Sequence, residues 1–176
     1  VSYQAQHPPL FYAVAATVWQ ALGGATPSMR IMSIRWLCLL FGAISIWFSY
    51  CIVKLTFKQE TAGLVCAAVM AFTPMFGHMH GNISNEPMAM ALVTAALYVG
   101  IRAKQTAKNQ LYILAGALFG LALVTRLTAG IWLPGLLIVT TSKASLKKSA
   151  LMLVPGVALP VLVWMLINQM TLGVPL

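Results

Sequence analysis

The sequence predicts an all-α, polytopic membrane protein. About six transmembrane helices are expected, two of them short and paired as a hairpin, together with one amphipathic helix lying in the interface. Three observations carry this. Of 176 residues, 60% are hydrophobic and 7% charged, where a soluble domain carries about 25% charged residues. A water-soluble globule could not cover its surface with so few polar groups. The acids are only Glu60 and Glu86, against eleven Lys and Arg. Those cations sum to a net charge of +9, yet they fall in short clusters between apolar runs. That is the pattern of membrane orientation, not of nucleic-acid binding.

The chain opens on Val1 in a polar stretch without a basic n-region and closes on a loop-like Gly173-Val174-Pro175-Leu176. It reads as a piece of a longer protein, with at least one span expected upstream. Pro8 and Pro9 suit a helix start. Leu10, Val14, Val18 and Leu22 then recur every four residues and make one apolar face. With Tyr12 and Trp19 as interface-seeking aromatics, residues 8–22 predict a helix lying in the outer interface. Residues 1–35 are thus expected to form an external loop carrying this helix, and residues 36–176 the transmembrane bundle.

Four runs approach the ~20 apolar residues that a span needs: Trp36–Val53, Ala62–Phe76, Pro87–Ile101 and Ser149–Asn168. Cys38, Cys51 and Cys66 lie inside these runs as small buried hydrophobes. A fifth stretch, Gln110–Val139, is apolar except for Arg126. As one helix it would place Arg126 near the bilayer centre, at a cost of ~2.5–3.5 kcal/mol or more. As a hairpin with Arg126 at its apex, it lets the basic clusters fall on one side. Lys54, Lys58, Arg102, Lys104, Lys108, Lys143, Lys147 and Lys148 then face the cytosol, and Arg30, Arg35 and Arg126 the outside. The hairpin is preferred. Its arms of ~15 residues rise only ~22 Å, so the apex should lie below the outer surface, in protein or a wet cavity. Gly116-x-x-x-Gly120 fits small-residue helix packing. Pro155 and Pro160 mark a kink or a break in the last span.

With that topology the unusual polar groups collect at the outer face: His7, His78, His80, Asn82, Asn85, Glu86 and Arg126. The densest segment is the loop Gly77–Glu86. Asn85 suits a helix N-cap, Pro87 the first turn, and Glu86 the positive end of the helix dipole. Glu86 could also hold a proton or a hydroxyl-rich ligand at the mouth of an outward cavity. His78-x-His80 with Glu86 has the ligand types for a divalent metal ion such as Zn²⁺; no other cofactor is indicated.

In order along the chain, several of these segments resemble the GT-C superfamily of glycosyltransferases. Within it they are most similar to protein O-mannosyltransferases and lipid A aminoarabinose transferases. His7-Pro8-Pro9-Leu10-Phe11-Tyr12 resembles the x-P-P-L-x-Y signature that opens the interfacial helix. Arg30 and Arg35 before Trp36 resemble the start of a span. Ile83-Ser84-Asn85-Glu86-Pro87 resembles an acidic position on a short external loop. Residues 120–129, GLALVTRLTA, resemble a G-L-A-x-x-T-K turn between two short spans. The resemblance covers roughly residues 3–140.

It implies an enzyme that moves a sugar from a polyprenyl-phosphate carrier to a hydroxyl of an acceptor lipid, glycan or protein. The site would face the non-cytoplasmic side, in a bacterial setting the periplasmic face of the inner membrane. Arg126 would steady the leaving lipid phosphate, and His7 would add a hydrogen bond near it. Glu86, with Asn85 and His80 close by, would orient hydroxyls, and Phe11, Tyr12 and Trp19 would border the lipid's access. The family's catalytic base is an acid upstream of the Pro-Pro helix; it is expected upstream of Val1, so the 176-residue piece alone should not turn over. Gln6 stands where relatives carry an acid. The alternatives are a membrane transporter, whose ionisable groups sit near the midplane, and a non-catalytic membrane subunit.

Overall fold

The computed structural model describes residues 8–140 and 146–172. Among these, every element is helical. They are α1 Leu10–Ala21, α2 Pro27–Phe57, α3 Glu60–Phe72, α4 Pro74–Gly81, α5 Glu86–Thr106 and α6 Asn109–Thr125. A 3-10 helix Leu127–Trp132, α7 Leu133–Thr140 and α8 Leu146–Leu172 follow. Prolines stand in the first turns of α2, α4 and α5, where the missing N–H would have had no intrahelical partner.

The centre of the bundle is α5, which packs on α2, α6 and α7. Its inward residues are small: Ala89, Ala91, Ala95, Ala96, Gly100 and Ala103 are all buried. Small side chains let neighbouring backbones approach closely. A helix enclosed by protein needs less hydropathy than one facing lipid, and α5 is the least apolar of the long helices. By contrast, Trp36, Leu40 and Trp47 of α2 stand exposed, as lipid-facing residues do.

The hairpin follows from contacts along α5. The Asn85 amide donates to the Thr125 carbonyl at 3.2 Å, so the start of α5 meets the end of α6. Gly100, near the other end of α5, lies against Thr140 at the end of α7. The chain therefore turns back at Arg126, and α6 and α7 run in opposite directions. The first six residues of the returning arm are 3-10 rather than α-helical, and Pro134 falls in the first turn of α7 that follows. On α2, Cys38 clusters with Met88 and Phe48 with Tyr98, so α2 and α5 run parallel. Lys54 and Lys58 thus share an end of the bundle with Arg102, Lys104 and Lys108.

Two continuous segments, α2 and Leu151–Met170 of α8, are long and apolar enough to cross a membrane. The expected run Ala62–Phe76 is bent by 63° between α3 and α4, and this pair passes the same test together. That makes two or three candidate spans among the described residues, where six were expected, because α5 is low in hydropathy and α6 and α7 are short. In α8 the two prolines are absorbed without a break in the helix. Helix α2 begins at Pro27, well before the apolar run at Trp36, so residue 35 lies within a continuous helix.

Helix α1 lies against α2 by the expected face: Leu10, Val14 and Val18 pack on the cluster of Phe11, Ile34, Cys38 and Met88. Phe11 is 1% exposed, an anchor into the core rather than a residue bordering lipid; Tyr12 and Trp19 remain exposed. Arg30 ties the turn after α1. Its Nε donates to the Ala25 carbonyl at 3.1 Å, its Nη2 donates to the Gly23 carbonyl, and its guanidinium sits 5.2 Å from the Trp19 ring centroid. Arg30→Ala should loosen this turn by roughly 1–2 kcal/mol. Amide hydrogen exchange over residues 10–25 should then quicken severalfold, and unchanged exchange would show that the turn is held by the Phe11 cluster alone.

Candidate functional site

The start of α5, the end of α6 and the 3-10 helix bring the chain's unusual polar groups together. Asn85 occupies the N-cap position of α5 without capping it; its amide is spent on the Thr125 carbonyl instead. That cross-tie sets residue 126 beside residue 86. Arg126 has extended backbone angles between the two helices. Its Nη1 donates to Glu86 Oε1, and its Nε donates to the Thr128 hydroxyl at 2.6 Å. The two side chains are 36% and 33% exposed. They form a pair at an opening, neither sealed in the interior nor free in solvent. The position of Glu86 on the first turn of α5 also favours its negative charge.

This pair borders a cavity of about 630 Å³. Its walls come from α2, α3, α4, α5 and the 3-10 helix, and most of them are apolar: Ile52, Met70, Met90, Val93, Ile131 and Trp132 among others. Along α5 the lining runs from Glu86 to Leu97, a distance of about 16 Å at 1.5 Å per residue. The cavity is therefore charged near one end and greasy along its length. Away from the charged end its lining offers only Ser49 and Thr94 as further hydroxyls.

His80 also lines the cavity, though it is 2% exposed. A carbonyl can only accept, so Nδ1 is the donor to the Phe76 carbonyl, at 2.8 Å. The ring stacks on Phe76 at 3.9 Å between centroids and lies against Gly42 of α2. A Cβ at residue 42 would come within 2.7 Å of it. His78 keeps a different company: the Asn82 amide donates to its carbonyl at 2.9 Å.

The candidate metal set of His78, His80 and Glu86 does not assemble. Half of the supposed loop is the short helix α4, and residues two apart on a helix point to different sides. Among the described residues no three of His, Cys, Asp and Glu converge to hold a metal ion. His7 lies outside the described residues. The cavity's apolar walls and Thr128 went unmarked in the sequence, because nothing in a run of Met, Val and Ile tells a cavity wall from a lipid-facing stripe.

Fold and cavity together define an integral membrane protein with a charged site at one end of an apolar helical bundle. Residues 6–167 match the family of dolichyl-phosphate-mannose-protein mannosyltransferases. The chain belongs to that family, one of glycosyltransferases within the GT-C superfamily. No curated protein and no solved structure matches it significantly.

Proposed function

We propose that the chain forms the donor-binding part of a glycosyltransferase that moves a sugar from a polyprenyl-phosphate carrier to the hydroxyl of a lipid, glycan or protein acceptor. The observation that carries this is the Arg126–Glu86 pair at one end of an apolar cavity about 630 Å³ in volume. A polyprenyl phosphate has the same polarity: a long hydrocarbon behind an anionic head. The hydrocarbon lies along Met70, Met90 and Ile131, and the phosphate takes the guanidinium from Glu86. Released from the pair, the Glu86 carboxylate accepts hydrogen bonds from sugar hydroxyls. Asn85 holds α5 and α6 in register for this exchange, and His80 props α4 against α2.

In the reaction the bond between the anomeric carbon and the phosphate oxygen breaks, and the acceptor oxygen bonds to that carbon. The acceptor's proton passes to a general base, and the lipid phosphate leaves with added negative charge. Arg126 stabilises that charge with directional, charged donors. The base is not found here. Glu86 is engaged by the sugar hydroxyls once the donor is bound, and Glu60 is tied to Lys54 at the other end of the bundle. The family resemblance implies an acid preceding the Pro-Pro helix as that base. The clustering of cations at the Lys54 end supports a cytosolic position for that end, and so a non-cytoplasmic, in bacteria periplasmic, site.

The test is photolabelling in nanodiscs with a polyprenyl phosphate carrying a diazirine in its chain. Labels are expected on Met90, Thr94 and Ile131. Glu86→Gln, which removes the competing carboxylate, should raise labelling severalfold at limiting probe. Labels confined to the lipid-facing side of α8, or a Glu86→Gln variant that labels less, would overturn the reading. Sugar transfer at enzymatic rates by the 176-residue chain alone would overturn the placement of the base.

A further inference from the structure

A second and larger cavity, about 970 Å³, lies at the opposite end of the bundle between the ends of α2 and α5. We infer that it is a binding site for an anionic phospholipid of the surrounding bilayer, held through Lys58 and Lys54. Its walls combine aromatic and cationic groups: Trp47, Tyr50, Lys54 and Lys58 from α2, Tyr98 and Gln105 from α5.

Charge decides the class of ligand. Glu60 is the one acid at this end, and it is already taken. It accepts from Lys54 Nζ and from the Tyr50 hydroxyl, both at 3.0 Å. Among the described residues the Lys58 ammonium therefore has no carboxylate partner, and the cavity carries excess positive charge. Lys58 is placed for this by the backbone: it ends α2 with φ 55°, in the left-handed region, so the chain turns sharply there into α3. Gln105 faces the same space with an amide.

The walls decide between a lipid and a soluble anion. Trp47 is 62% exposed, its ring stands 5.7 Å from that of Tyr50, and Leu55 lies beside them in the cavity. Aromatic rings of this kind settle at headgroup depth. A soluble anion would satisfy Lys58 and leave those rings uncovered; a phospholipid covers them with its acyl chains while its phosphate meets the lysines. Basic pockets between helices at the cytosolic end of membrane proteins bind anionic headgroups by this combination. The site shares no lining residue with the first cavity, whose charged mouth at Arg126 lies at the other end of α5.

The experiment is fluorescence quenching of the whole chain in vesicles with brominated phosphatidylglycerol or brominated phosphatidylcholine. The Trp47 contribution is read as the difference between wild type and Trp47→Phe. The anionic lipid should quench Trp47 in excess over the zwitterionic one. Loss of the Lys58 charge should lower the apparent affinity for the anionic lipid about fivefold. Lys58→Gly makes that change without backbone strain at a positive φ, and Lys58→Glu should remove the excess altogether. Lys108→Glu, outside the cavity, should leave it. Equal quenching by the two lipids, loss of the excess in Lys108→Glu, or its displacement by soluble glycerol phosphate would each overturn the inference.

Discussion

Arg126→Ala is expected to weaken binding of a polyprenyl phosphate by about 10- to 100-fold, the range for losing a charge-assisted hydrogen-bonded contact. Two effects act in the same direction. The phosphate loses its donors, and the Glu86 carboxylate, left without its partner, repels an anion at the cavity's charged end. Arg126→Lys should recover only part of the loss, since one ammonium cannot hold both the Thr128 hydroxyl and a phosphate in fork geometry. Competition labelling in nanodiscs measures this directly. The Glu86→Gln gain should shrink in the Arg126→Ala background to the relief of that repulsion, because its larger part consists of freeing the guanidinium. A gain of undiminished size would show that Glu86 acts on the ligand by bulk charge alone.

Gly156→Leu should be the most destabilising single change in the bundle, beyond the ~1–3 kcal/mol typical of overpacking. A Cβ on Gly156 would meet the Ala117 nitrogen at 2.8 Å and the Gly116 carbonyl carbon at 3.0 Å. These neighbours are backbone, so no rotamer change relieves the contact; α6 and α8 must separate. Their junction is built on small residues on both sides. Gly116 faces the Leu153 carbonyl and Gly156, and Gly120 lies so that a Cβ would stand 2.7 Å from the Val157 carbonyl. Separation would also carry Thr125 and Arg126 with α6, so the melting temperature in detergent and polyprenyl-phosphate labelling should fall together. A variant that kept its melting temperature would mean that α8 packs elsewhere in the membrane.

The all-helical class, the apolar face of α1 and the turn at Arg126 were legible in the sequence because each rests on a local or one-dimensional quantity. Hydropathy, a repeat of four, and the alternation of basic clusters need no knowledge of neighbours. The Gly116–Gly120 pair was legible as a motif but not its partner, since Gly156 belongs to no repeat of its own. Central burial of α5 was hidden: Pro87–Ile101 read as a span like the other three, whereas its alanines are what lets α2, α6 and α7 close around it. His78 and His80 misled for a related reason. Spacing by two suggests convergence on a loop, and Pro74 starts a helix that turns them apart.

Residue chemistry along the chain alone determined that this is a membrane protein with Glu86 and Arg126 as its exceptional charges. Only the folded bundle decided that they face one another, through the Asn85–Thr125 tie, and that an apolar cavity opens behind them. The reason is that polarity is a property of each residue, whereas a pair or a cavity exists only between elements, and the 40 positions separating Glu86 from Arg126 leave no periodic trace of the contact.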